Sequence, residues 1–167
     1  VDFKDTLNQP YTATRSFTVG NYTVLPAEWA VSGVDLSKPG LQVRPYQTDG
    51  STTLGQQPNT MAWTEEQLLG LHGPNVAELS GAVVNGAYID PATINYSIEA
   101  GTGTERGNFT NDVAFPGIPG TLATTGNSTE EVLTYLSFPA PGAYRIGVNS
   151  DDGFKVSLIN CNSATIM

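Results

Sequence analysis

An acidic loop near the end of the sequence carries the residues best suited to chemistry. Ser150, Asp151, Asp152 and Gly153 follow one another directly, with Asn149 in front of them. Carboxylate and amide oxygens are the ligands that calcium prefers, and the ion takes about 6–8 of them. The two aspartates, the Asn149 side chain and nearby backbone carbonyls would supply about half of that number. Asn149, Asp151 and Asp152 are therefore candidate ligand-binding residues, with Asp151 and Asp152 as candidate metal ligands.

A second interpretation of this loop needs no ligand. The dipeptide Asp152-Gly153 is typical of a type I′ hairpin turn, and the side chain of Asp151 can hydrogen-bond its own backbone. The flanking residues favour a hairpin, because apolar and polar residues alternate over 143–148 and again over 154–158. The residues alone leave a cation site and a plain turn both open.

The composition indicates a folded, β-rich domain. Hydrophobic residues make up 39% of the chain and charged residues 14%, whereas disorder combines low hydrophobicity with high charge. The 18 glycines and 11 prolines favour short strands joined by turns over long helices. With a net charge of −9 and only 7 Lys and Arg, the chain has no basic patch for nucleic acid or an anionic membrane. No apolar run approaches the roughly 20 residues of a membrane span.

The elements that must position the acidic loop are predicted to be short strands and one helix. Apolar residues alternate with polar ones in five further runs, at 16–19, 22–25, 41–46, 94–98 and 132–138. Pro45 predicts that the strand over 41–46 lies at the edge of a sheet or ends there. A helix is predicted over 64–72, with Thr64 and Gln67 forming a capping box.

The other residues that could do chemistry favour structural roles, so no enzyme is expected. His72 has no neighbour in sequence that indicates a catalytic triad. Adjacent acids point apart on a helix or strand, so the pairs at 65–66 and 130–131 fit caps and solvated faces better than glycosidase chemistry. Trp29 and Trp63 fit core packing, with stacking on sugar rings as the alternative. One His and one Cys are too few for the usual kind of zinc site.

The C-terminal part of the chain resembles the PA14 family of β-sandwich modules. The matching stretch, 141–156, contains Gly142-Ala143-Tyr144, a strand, the sequence Ser-Asp-Asp-Gly at 150–153, and a second strand. The strand predicted just before it lies where the family places one. Residues 1–40 lie outside the resemblance and look like the tail of a preceding β module.

The resemblance implies an antiparallel β-sandwich of jelly-roll type over 41–167, shortened at its C-terminus. It also implies a non-catalytic module of a larger extracellular or cell-surface protein, which binds glycan or mediates adhesion. In the fungal adhesin branch, paired aspartates in this loop hold a calcium ion that coordinates sugar hydroxyls, and Asp151 and Asp152 match them in position. That branch adds an asparagine from a downstream loop, for which Asn160 and Asn162 are the candidates.

A structural role is the alternative function. Chains rich in Thr, Gly and Asn with few charges suit packed assemblies such as a surface layer or an extracellular filament. An edge strand such as 41–46 would then pair between subunits. The expected partners are a glycan, another surface protein or further copies of the chain, without nucleic acid and without membrane insertion.

Overall fold

The computed structural model describes all residues except 1, 5, 6, 9, 13, 15, 17–19, 21, 51–57, 91, 92 and 161–167. The chain divides into two compact units. The first consists of Val1–Ser32 with Ile159–Met167, and the second of Gly33–Leu158. The residues predicted to carry chemistry in the acidic loop belong to the second unit.

The first unit contains a two-stranded antiparallel sheet and a 3₁₀ helix. Strand β1 (Asp2–Lys4) pairs with β2 (Pro10–Thr12), and the 3₁₀ helix is Ala27–Trp29. The strand predicted over 22–25 is absent, since these residues form no regular structure. Most of the partner strand predicted over 16–19 lies outside the described residues.

The second unit is built on a three-stranded antiparallel sheet in the order β4-β3-β5. The central strand β3 (Leu41–Gln47) pairs with β4 (Tyr88–Asp90) near its start and with β5 (Ser128–Leu133) over most of its length. The helix α1 (Met61–Leu68) contacts β5. These elements confirm the prediction of a β-rich fold with one short helix. Within the described part of the chain, no helix is long and apolar enough to cross a membrane.

Pro45 lies in the central strand of the sheet, so the prediction of an edge strand is wrong. The pairing with β4 ends at Val43, and irregular residues continue on that side of β3. There the Pro45 carbonyl accepts from Asn75 Nδ2 at 3.0 Å, and the Gln47 carbonyl accepts from Val76 N at 2.8 Å. In an antiparallel strand, the N–H and C=O of one residue point to the same side. The Pro45 carbonyl points away from β5, so an N–H at this position would also have pointed away from β5. The ladder with β5 therefore loses no hydrogen bond.

Buried amide side chains hold the loops of the second unit onto β3. Gln47 is fully buried, and its Nε2 donates to the carbonyls of Thr124 at 2.8 Å and Gly126 at 3.0 Å. Its Oε1 accepts from Gly120 N at 2.9 Å. One side chain thus satisfies three backbone groups of the loop that leads into β5, which is what burial of a polar group requires.

Helix α1 begins earlier than the sequence predicts. Thr60 is its N-cap, and Thr60 Oγ1 accepts from Trp63 N at 3.3 Å. The predicted cap, Thr64, therefore lies inside the helix, which ends before the predicted end at residue 72. Gln67 takes no part in a capping box, because its buried amide donates to one carbonyl of β3 and one just before β5, at 3.1 and 2.7 Å. The Gln67 amide thus bonds to two backbone carbonyls outside the helix and does not cap the start of the helix.

Residues 134–158, which we call the exposed segment, differ most from their prediction. None of them belongs to a strand, so the strands predicted at 143–148 and 154–158 and the hairpin between them are absent. Of the strand predicted over 132–138, only residues 132 and 133 belong to a strand, β5, which starts at Ser128 and ends at Leu133. Nine large apolar residues of the segment each expose 40–59% of their surface: Tyr135, Leu136, Phe138, Tyr144, Ile146, Val148, Phe154, Val156 and Leu158.

Candidate functional site

The acidic loop, residues 149–153, is exposed on the second unit and is fixed beside the start of α1. Asp152 Oδ1 accepts a hydrogen bond from Asn59 Nδ2, just ahead of the helix cap. Lys155, two residues after the loop, forms an ion pair with Glu65 of α1. Residues 151 and 152 form a bend without flanking strands, so the loop is not the tip of a hairpin. Contacts with another element, and not strand pairing, set its position.

A second neighbour of the loop is the turn around Arg106. A Cβ atom added to Gly107 would lie 2.5 Å from Asn149 Oδ1, so the Asn149 side chain packs against this turn. The hydrogen bond from Arg106 Nε to Glu99, 2.6 Å long, is the main cause of a raised pKa at Arg106, and the charge of Asp151 adds to it. Asp151 is the last of the acids that raise this pKa, after Glu99 and Asp112, so Arg106 is paired mainly with Glu99.

The three predicted site residues, which are neighbours in sequence, lie on one exposed loop. In the described ranges, no group of three or more His, Cys, Asp or Glu is placed to hold a metal ion. Asn162, one of the two downstream candidates, lies outside the described residues, and Asn160 belongs to the first unit. The oxygen ligands that the loop itself carries include Asp151, Asp152, Asn149 and backbone carbonyls.

Trp63 is engaged in packing against the single histidine. The rings of Trp63 and His72 are stacked, with centroids 3.5 Å apart and planes 6° apart. His72 Nε2 lies 2.8 Å from Glu66 Oε2, which orients the imidazole from the side of the helix. This arrangement supports the interpretation of Trp63 as a packing residue. Trp29 is half-buried in the 3₁₀ helix of the first unit.

The two acids of the pair at 130–131 point to opposite faces of the sheet, as predicted for neighbours on a strand. Glu131 lies opposite Arg44 in the register and accepts from Arg44 Nε at 3.0 Å. Glu130 lies opposite Pro45, on the face that is buried under the loops. Burial raises the pKa of Glu130 to about 8, and its Oε1 has no hydrogen-bond partner among the described residues. Glu130 therefore does not fit the solvated face predicted for this pair, and no sequence pattern indicated its burial.

Sequence reasoning also missed a polar contact on the same side of the sheet. The Tyr96 hydroxyl donates to Asp90 Oδ2 at 2.7 Å. Burial raises the pKa of Tyr96, and the hydrogen bond to Asp90 and the charge of Glu130 raise it further. Tyr96 was predicted as part of a strand over 94–98, whereas it forms only an isolated bridge with Val113. Alternation placed Tyr96 on one face with Ile94 and Ile98, but both isoleucines are exposed and Ser97 between them is buried, so the pattern did not identify the buried face.

Comparison with known proteins identifies no relative of this chain. No protein-family model, no curated protein and no solved structure matches it. A function must therefore be argued from the residues and geometry of the site itself.

Proposed function

We propose that this chain is a non-catalytic extracellular module of a larger surface protein, and that it binds glycan or mediates adhesion. One observation carries the proposal: Asn149, Asp151 and Asp152 lie together on an exposed loop that contacts with α1 hold in place. Carboxylate and amide oxygens at a fixed surface position suit both a hard cation and the hydroxyl groups of a sugar.

Calcium is the ion proposed at this loop. Asp151 and Asp152 would bind it, with the amide oxygen of Asn149 and backbone carbonyls as further ligands. A carboxylate has two oxygens, so the hydrogen bond that Asp152 accepts from Asn59 is compatible with coordination through the other one. The guanidinium of Arg106 is paired with Glu99 and interacts only weakly with Asp151, so it opposes the ion only weakly.

The resemblance of residues 141–156 to the PA14 family motivates the proposed sandwich over 41–167. The three-stranded sheet and the one helix of the second unit are compatible with one sheet of such a fold. A sandwich also needs a second sheet, and the exposed segment, which has the required alternation, forms no strand in this structure. In this proposal, residues 1–40 belong to a preceding β segment.

Unfolding with excess calcium and with EDTA tests the metal site. Calcium at about 100 times its dissociation constant should raise the free energy of unfolding by about 2.7 kcal/mol. Asp152→Asn should remove this gain, because it removes one of the two carboxylates. The control is Asp35→Asn, at an exposed aspartate bonded to Ser37, which should keep the gain. A wild-type protein that calcium does not stabilise would contradict a calcium site.

A glycan array, probed with and without EDTA, tests the recognition itself. Binding that EDTA and Asp152→Asn both abolish would support sugar binding through the metal. Failure to bind any glycan under both conditions would contradict this function.

A second function, a structural subunit of a surface layer or filament, is favoured by a different observation. The described sheet has two edges, β4 and β5, and the exposed segment presents its apolar side chains to solvent. Unpaired strand edges and exposed apolar surface both promote pairing between chains. Light scattering and electron microscopy over a concentration series separate the two functions. Ordered assembly without glycan binding would favour the structural subunit.

A further inference from the structure

A groove of about 460 Å³ opens in the second unit beside the end of β4. This volume lies within the range of about 300–1,000 Å³ that is typical of small-molecule sites. No residue of the acidic loop lines it. Its walls include one carboxylate, two amides, one aromatic ring, two hydroxyls and one aliphatic side chain, from Asp90, Asn95, Asn111, Phe109, Thr93, Thr110 and Val113.

The aromatic wall of the groove is accessible to a ligand. Phe109 exposes 62% of its surface, although burial of such a ring is normally favourable. Val113, the other apolar residue of the wall, exposes 46%. An exposed ring next to polar side chains is the combination expected where a ligand has one apolar face and hydroxyl groups at its edge.

The polar side chains of the groove are held in place before any ligand arrives. Asp90 accepts from the Tyr96 hydroxyl at 2.7 Å, which orients the carboxylate. Asn95 Nδ2 donates to the Thr110 carbonyl at 3.0 Å, and Asn111 Nδ2 lies 3.3 Å from Thr110 Oγ1. Groups that are already oriented lose less conformational freedom on binding, so they favour a specific ligand.

Backbone hydrogen bonds join the two walls of the groove. Val113 N donates to the Asn95 carbonyl at 3.0 Å, and Ser97 N donates to the Val113 carbonyl at 2.9 Å. These bonds fix the segment that carries Phe109 and Asn111 against the segment that carries Asn95. Backbone hydrogen bonds therefore fix the shape of the groove between these two segments.

We infer that this groove binds a neutral pyranose ring, with the apolar face of the sugar on Phe109 and its hydroxyls bonded to Asp90, Asn95 and Asn111. The carboxylate of Asp90 and the net charge of −9 disfavour acidic sugars and phosphates. The inference rests on the proposed glycan-binding function and gives it a site that needs no calcium. A module with this groove and the acidic loop would contact a glycan at two places.

Nuclear magnetic resonance with isotope-labelled protein locates the binding site. The probes are the methyl pyranosides of glucose, galactose, mannose and N-acetylglucosamine, each titrated in EDTA so that the acidic loop holds no metal. A single ring should bind with a dissociation constant on the order of 1 mM. The expected result is a concentration-dependent shift of the amide signals of Thr110, Asn111 and Val113 for at least one sugar.

Variants then test the two kinds of contact. Phe109→Ala should weaken binding about tenfold, since about 1.4 kcal/mol of contact energy corresponds to that factor. Asn111 has a φ of +66°, so Asn111→Gly removes its amide without adding backbone strain, and it should weaken binding severalfold. The control is Ile98→Ala, at an apolar residue that exposes 65% outside the groove lining, and it should bind like the wild type.

The outcomes separate the groove from the acidic loop. Shifts at the groove amides that Phe109→Ala weakens support the inference. Shifts confined to residues 149–153, after calcium is restored, would overturn the groove but leave the proposed function standing. No shift with any of the four sugars, together with no binding on the glycan array, would overturn both.

Discussion

Strand β3 and the exposed segment have the same alternation of apolar and polar residues but different surroundings. β3 has a hydrogen-bonded strand on each side, and its residues Val43, Pro45 and Gln47 are buried. The exposed segment forms no strand, and Ile146 and Val156 expose 58% and 59%. Alternation thus determines which side chains share a face, whereas burial depends on what covers that face.

The covering of β3 comes from loops more than from other strands. Gln47 satisfies three backbone groups between residues 120 and 126, and Gln67 satisfies one carbonyl of β3 and one just before β5. The exposed segment is held instead by polar contacts near its acidic loop, such as Lys155 with Glu65. The two regions should therefore respond very differently to mutation.

The largest difference is expected between two glycines. A Cβ at Gly120 would overlap the Val76 carbonyl oxygen and lie 2.5 Å from Ala77 Cα, so the backbone must move. Gly120→Ala should lower the free energy of unfolding by about 3 kcal/mol or more. Gly147, in the exposed segment, has no atom within 4 Å of an added Cβ. Gly147→Ala should change stability by less than about 0.5 kcal/mol in urea unfolding, and equal costs for both variants would contradict the contrast.

The amide that anchors the loop gives the next largest effect. Gln47→Leu keeps the apolar volume but leaves the carbonyls of Thr124 and Gly126 and the N–H of Gly120 without their partner. We expect a loss of about 2–4 kcal/mol in urea unfolding. Gln42→Leu, at a half-buried position of the same strand, should cost under about 1 kcal/mol. If Gln47→Leu were neutral, the loop would not depend on this side chain.

The sequence predicts those features of the fold that depend on composition or on residues close together in the chain. The β-rich class follows from the many glycines and prolines, and the opposite orientation of Glu130 and Glu131 follows from strand geometry. The exposure of the acidic loop fits its polar residues. These features need no knowledge of distant contacts.

The remaining features depend on contacts between residues far apart in the chain. Gln67 forms a capping-box pattern with Thr64, yet its amide bonds to acceptors 21 and 60 residues away. Pro45 indicated an edge strand because proline has no N–H to donate to a neighbouring strand. It is tolerated in the central strand because irregular residues, and not a strand, lie beside it on that side. The groove residues likewise come from separate segments, joined by the hydrogen bond of Asn95 to Thr110.

Glu130 should make the free energy of unfolding depend on pH through the buried face of the sheet. Its pKa is about 8 in the folded chain and 4.5 when unperturbed, because burial disfavours the charge. Between these values the unfolded chain loses the proton first, so stability falls as the pH rises from 4.5 to 8. We expect a loss of about 2 kcal/mol, smaller than the full shift implies because the side chain is only partly buried.

The variant Glu130→Gln should remove most of this slope in urea unfolding at pH 5 and pH 8. Glu131→Gln is the matched control, since it lies next in sequence on the opposite face and breaks the pair with Arg44. It should lower stability at both pH values and leave the slope in place. The pKa values of Asp35, Glu78 and Glu99 are lowered, so these acids reduce stability as the pH falls and they become protonated. Their effect therefore lies at a lower pH than the window of Glu130. A slope that persists in Glu130→Gln would assign it to another group.

The smallest effect on stability, and the sharpest test of the contrast, is expected in the exposed segment. Ile146→Thr combined with Val156→Thr removes two exposed apolar side chains and keeps their β-branched shape. Since neither side chain is buried, the free energy of unfolding should change by less than about 0.5 kcal/mol. Self-association, measured by light scattering at high protein concentration, should decrease because less apolar surface is exposed. A loss of 2 kcal/mol or more, on the order of that for a buried methyl-bearing side chain, would mean that these residues pack in solution as the inner face of a second sheet.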